Sequence, residues 1–166
     1  MTLFSLCEWL EGTGLAALIK ESPYGFPIVV GVHILGLALS VGTLLWVDLR
    51  MLGWVMRGLR ISEVHRALAP WFLAGFATML VSGAVLFVAF ATLAYANVFF
   101  RVKLAAIALA GVNALVFHSL TQRSSGHWDG TPRPPKQVRA AGMASLGLWA
   151  AVIVAGRMMS YTMFSG

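Results

Sequence analysis

Apolar and polar positions alternate along this chain in long blocks, four apolar stretches separated by shorter runs that hold most of the charge. The stretches fall at about residues 26–50, 67–96, 99–120 and 140–159. Each suits a bilayer crossing, which takes about 20 apolar residues as a helix. Ahead of them, residues 1–22 set Leu3, Phe4, Leu6, Cys7 and Leu10 at helical spacing, with Glu8 and Glu11 inside the run. Acidic residues there, and no positive charge before them, do not fit a cleavable signal peptide. The segment is expected to lie in the membrane interface, as an anchor or a lid over one end of the bundle. Pro23 and Pro27 punctuate the entry to the first crossing, where a missing N–H breaks no helical hydrogen bond. The predicted fold is all-α: one integral membrane four-helix bundle spanning residues 1–166, with an N-terminal interfacial amphipathic helix. A polar loop, TQRSSGHWDGTPRPPKQVR, is expected between the third and fourth crossings.

Composition agrees with this pattern. Of 166 residues, 59% are hydrophobic and 11% charged, against about 25% charged in ordinary soluble domains. The net charge of +6 comes from basic residues flanking apolar runs, so it reads as a topology signal and not as a nucleic-acid footprint. Eight Lys and Arg residues fall on the side of the first and third loops and four (Lys20, Arg101, Lys103 and Arg157) on the other. By the positive-inside rule both termini face outward, which in a bacterial inner membrane means the periplasm. The single cysteine, Cys7, makes no internal disulfide, and the absence of CxxC or CxxCH argues against iron–sulfur ligation and covalent haem attachment.

Candidate chemistry lies in the histidines. His33 sits within more than twenty apolar or small residues, with Gly36, Leu37 and Ser40 on its helical face. Hydrocarbon offers an imidazole no partner, so such a residue points to a functional site. His118 repeats the pattern, with Gly111, Ala114 and Leu115 on its stripe. Imidazoles beside cleared helix faces, with basic residues at the membrane edge, suit a b-type haem. Arg101, Lys103 and Arg157 at the outer edge, or Arg66 and Arg123 at the inner edge, would then face the propionates. The plainer reading makes each imidazole a helix-to-helix hydrogen-bond partner. His33 and His118 differ in depth by ~15 Å at about 1.5 Å per residue, so His65 is the more natural partner of His118 by level. His127 is expected to be exposed in the polar loop.

Copper is the competing reading, since imidazole with soft thioethers suits Cu(I), and Met158, Met159 and Met163 cluster on the side of His33. Methionine is also a common apolar filler. No nucleophile with its base, HExxH or phosphate-binding glycine loop is present. Three functions follow: a haem protein moving electrons or serving as a small redox subunit, a copper-handling protein, or a cofactor-free structural or assembly subunit. The expected partners are the lipid bilayer, with other redox subunits or further copies of the chain.

The histidine of the first crossing, MLVSGAVLFVAF in the second and FFRVKLAAIALAGVNALVFH in the third resemble the small membrane proteins of the copper-resistance protein D and HemJ-type protoporphyrinogen oxidase groups. The resemblance covers about residues 26 to 120. It implies a bacterial inner-membrane bundle, roles for His33, Lys103 and His118, and haem b or copper as cofactor. The chain is shorter than a full copper-resistance D protein and lacks the rest of the HemJ pattern, so protoporphyrinogen oxidation is not carried over.

Overall fold

The structure, a computed structural model, describes residues 2–164, and the side chains of all but 120–128 and 164. Among the described residues the chain is helical without strands: α1 (Leu3–Glu11), α2 (Gly14–Glu21), α3 (Gly25–Met51), α4 (Ile61–Ala89), α5 (Ala91–Ala96), α6 (Val98–Trp128) and α7 (Lys136–Phe164). Four segments, Gly25–Met51, Ile61–Ala89, Val98–Ser119 and Lys136–Met163, are long and apolar enough to cross a membrane, with mean hydropathies of 1.7 to 2.3. Large apolar side chains such as Leu35, Leu73, Leu80, Leu115 and Val154 point outward. That surface is stable only against lipid, because burying it from water is worth about 25 cal/mol per Å². This is a multi-pass membrane protein built as an all-α bundle.

Several boundaries differ from the sequence reading. Residues 1–22 form two helices, because the chain turns at Gly12 and the Thr13 hydroxyl then caps α2 by accepting from the Ala16 N–H at 3.5 Å. The second crossing starts at Ile61, earlier than its apolar run, and its helix stops at Ala89. Phe90 leaves helical geometry (φ −133°, ψ 39°) and α5 follows as a separate turn. Most of the expected polar loop is helix: α6 runs through to Trp128, since no proline interrupts it before Pro132, and α7 begins at Lys136. Pro70 lies inside α4.

The four long helices stand in an arc, α4 against α3, α3 against α7, and α7 against α6. The α3–α4 contact is set by small residues. A methyl group on Gly75 would fall 2.6 Å from the Ser40 nitrogen, and one on Gly36 would fall 2.8 Å from the Met79 nitrogen. Backbones this close need positions without side chains. Among the described residues, no α-carbon of α4 lies within 8 Å of one in α6. The fourth side of the arc is therefore open at the level of the backbone. Two apolar clusters hold the rest: Val47, Met51, Ile61, Val64 and Val138 near the two long-helix loops, and Met79, Ala106, Ala110, Trp149 and Val152 in the middle. We call the end with α1, α2 and the C-terminus of α7 the terminus end, and the opposite one the loop end.

At the terminus end one carboxylate ties the short helices down. Glu11 accepts from the Thr92 N–H (2.7 Å) and hydroxyl (2.6 Å) on α5, and from Lys20 Nζ (2.8 Å) on α2. Burial pushes this carboxyl upward, but the donors of Lys20 and Thr92 outweigh it and hold its pKa below the ordinary value of 4.5. A carboxylate depressed in the folded state contributes stability above its unfolded pKa and loses it as pH falls through the folded value. Hydrogen exchange of α1 and α2, corrected for its intrinsic rate, should therefore quicken as pH drops below 4.5, and Glu11→Gln should remove that dependence. Gly75→Val should separate α3 from α4 and lower the unfolding free energy by about 2–3 kcal/mol, measured by denaturation in detergent.

Candidate functional site

Because α4 and α6 stand apart, a cavity of about 580 Å³ lies between them, backed by α3 and α7. Its walls change character along the membrane normal. Toward the middle they are aromatic: Phe72 and Phe76 stack at 5.7 Å, and both meet Trp149 edge-on at 6.4 Å. Asp48, Asn113 and Ser145 come next, and Ser62, His65, His118 and Asp129 form the loop end. An apolar body with a polar mouth is the usual make-up of a site for a bound organic group.

The loop end is closed by groups that cap helices across the bundle. Asp129, just after α6, accepts from the Ser62 N–H (2.9 Å) and hydroxyl, and its carbonyl accepts from the Ile61 N–H (3.1 Å). The orphan donors at the start of α4 thus find a partner, which is why α4 begins before its apolar run. Arg50 is fully buried, its Nε donating to the Leu59 carbonyl (2.8 Å) and its Nη2 to the Thr131 carbonyl (3.2 Å). It joins both long-helix loops to the end of α3. Gly53 takes φ +74° in the turn after α3, and a methyl group there would fall 2.9 Å from the Pro132 carbonyl oxygen. Arg50, read from sequence as a topology charge, is a structural clasp.

His65 and His118 both line this one cavity, from helices whose backbones stand apart. Gly111 and Ala114, on the stripe of His118, line it too, and a methyl group on Gly111 would meet nothing within 4 Å. Leu115, placed on the same stripe by sequence, points outward at 70% exposure. His33 is elsewhere. Its Nδ1 lies 3.0 Å from the Ser82 hydroxyl, and its ring stacks over Gly83, where a methyl group would fall 3.1 Å from Cε1. The small residues on its face, expected to leave room for a bound group, are filled by α4, since Gly36 and Ser40 carry the α3–α4 contact.

The outer basic residues do not line the cavity either. Arg101 donates to the Tyr95 carbonyl at 3.0 Å and lies over that ring, while Arg157 lies over Tyr161. Lys103 lies along Gly156 of α7. Met158 is 40% exposed; Met159 and Met163 are half-buried, and the ring of His33 bonds to Ser82, not to them. Among the described residues no three His, Cys, Asp or Glu side chains are grouped to hold a metal ion directly. The side chains of Arg123 and His127 lie outside the described residues.

Sequence reading missed Asp48, 2% exposed, which lines the cavity together with Ser145. A signal was present: Asp48 shares a helical stripe with Leu44 and Met51, both of which line the cavity.

Arg50→Met should release both loops. Two hydrogen bonds from a charged donor are worth about 3 kcal/mol together, and exchange at residues 53–60 and 129–135 should rise accordingly, with the membrane segments little changed.

No curated protein and no solved structure matches the chain. A family model does, over residues 6–162, and its description is "Family of unknown function (DUF6644)". With nearly its whole length covered, the chain belongs to the DUF6644 family.

Proposed function

We propose that this protein is a b-type haem protein of the bacterial inner membrane that moves electrons or serves as a small redox subunit. The observation that carries the proposal is the convergence of His65 and His118 on one 580 Å³ cavity. Two neutral imidazoles from facing helices are the donor set a six-coordinate haem takes. The rest of the cavity fits a flat, apolar macrocycle. Gly111 leaves open space beside His118, Ala69, Ala110 and Ala114 keep the walls low, and Phe72, Phe76 and Trp149 give an aromatic backing. Bound there, haem would supply one-electron transfer.

The chain's own residues have separable tasks in this reading. His65 and His118 hold the iron, the aromatic wall excludes water from the deep side, and Asp129 and Arg50 fix the loop end on which both imidazoles depend. Each helix contributes one ligand, so the span between α4 and α6 sets the fit. His33 is not a ligand of this site, and the propionate partners proposed from the outer edge, Arg101, Lys103 and Arg157, belong to the other end of the bundle. Arg66, beside His65, is the basic residue at the correct level. The excess of Lys and Arg in the two long-helix loops supports a cytoplasmic loop end and periplasmic termini.

Purified protein supplied with haem should show a Soret band and reducible α/β bands, with one haem per chain by pyridine haemochrome. His65→Ala and His118→Ala should each cut haem retention by about tenfold or more, while His33→Gln leaves the spectrum in place. A colourless protein that takes up no haem, or a spectrum lost only in the His33 variant, would refute the assignment.

A further inference from the structure

The cavity between α4 and α6 carries a charge pattern as well as a shape. Among the described residues, the ionisable groups of its lining are Asp48, His65, His118 and Asp129, with no Lys or Arg. The described cations of the loop end lie elsewhere. Arg57, Arg60, Arg66, Arg133, Lys136 and Arg139, like Glu63, are exposed, where water and salt screen them. Arg50, two positions on from Asp48, is turned to the loops, its Nε donating to the Leu59 carbonyl and its Nη2 to the Thr131 carbonyl. Residues two apart on a helix do not face each other.

The two carboxyls differ in what is left to them. Asp129, at the mouth, has both oxygens on the start of α4, accepting from the Ser62 N–H and hydroxyl. Asp48 lies inside the α3 span and is 2% exposed. It forms no ion pair, the one among the described residues being Lys20–Glu11. Its surroundings are set by α7. The Asp48 carbonyl oxygen lies 3.2 Å from where a methyl group on Gly142 would be, and Ser145 and Trp149 follow Gly142 on one helical stripe. Asp48 and Trp149 also line a second, smaller cavity of about 220 Å³ between α3 and α7, whose remaining walls are aliphatic. Carboxyl and indole thus stand at one seam. Trp149 in turn meets Phe72 and Phe76, so one carboxyl and three rings line the same space. Both features attract positive charge. A carboxylate in an apolar wall is costly as an anion unless a cation comes to it, and aromatic faces draw cations through their quadrupole.

We propose that this cavity is a site for an apolar ligand with a positive charge at its centre, Asp48 being the counter-charge and Phe72, Phe76 and Trp149 the apolar surround. The inference rests on the haem reading only in taking the cavity to hold a bound group. Haem meets it through its ferric core, where a trivalent metal in a doubly anionic ring leaves a single positive charge. The same carboxylate excludes the propionates from that wall.

The full chain in phosphatidylcholine nanodiscs, before haem is added, supplies the test, with tetraphenylphosphonium and tetraphenylborate as ions of one shape and opposite charge. Uptake in equilibrium dialysis is read against empty nanodiscs, which removes the share of the lipid. The chain should show a saturable site for tetraphenylphosphonium and none for tetraphenylborate, although its own net charge of +6 favours the anion. Asp48→Asn should weaken the cation by about tenfold or more, and Asp48→Glu should keep most of the affinity. Haem uptake is scored on the same preparations. Haem bound without any preference between the ions ends this proposal and leaves the haem reading, whereas cation binding in a protein that refuses haem ends that reading and leaves this one. No saturable cation site, equal binding of the two ions, or a cation affinity unchanged in Asp48→Asn overturns the proposal.

Discussion

The close crossing of α3 and α4 governs everything else in this bundle. Gly36, Ser40 and Gly75 bring the two backbones into contact, and in lipid such contact is held by dispersion and weak polar forces, because hydrocarbon does not drive helices together. With α4 committed to α3, and α6 to α7, the α4–α6 side is closed only by side chains, such as the Phe87–Phe100 stack near the terminus end. Side chains as large as Phe72, Phe76 and Trp149 bridge the middle of that gap but not its loop end. The cavity is thus a consequence of where small residues lie. They are at the contact on α3 and α4, and at the vacant wall on α6, where Gly111 and Ala114 face space instead of a neighbour.

A cavity open between helices would slacken unless its ends were fixed, and the loop end is fixed by buried polar groups. Loop carbonyls at the edge of the hydrocarbon need donors, since few waters reach them. Arg50 supplies two of these from one guanidinium, and Asp129 supplies the acceptors that the start of α4 lacks. Arg50 also leaves Nη1 buried without a partner. The clasp therefore costs some of the stability it provides, and its position between two loops is what keeps it.

The four spans long and apolar enough to cross a membrane and the helical N-terminal segment were legible in the sequence, because each depends on hydrophobicity and its spacing along a helix. Which neighbour a helix face meets was not. Gly36 and Ser40 beside His33 look the same in sequence as Gly111 and Ala114 beside His118, yet the first pair is covered by α4 and the second is open. The difference lies in Gly75 and Gly83, on another helix far along the chain. Asp48 was missed and Arg50 misread for a related reason: a charge ending an apolar run is ordinarily at the interface, and here Arg50 is buried by the loops to which it donates. The extension of α6 through residues 120–128 went unseen because polarity, not helix propensity, marked it as loop.

Asp48 and Lys103 both lie within the membrane spans, toward opposite ends of the bundle. Along α7, Gly156 beside Lys103 lies fourteen positions from Gly142 beside Asp48, which is about 21 Å of helix. At an effective dielectric constant near 20, opposite charges that far apart attract by less than about 1 kcal/mol. Removing either charge from water costs several kcal/mol. Each must therefore be settled where it stands. Asp48 has a cavity wall that also carries Asn113 and Ser145; Lys103 has a glycine surface along which its stem lies.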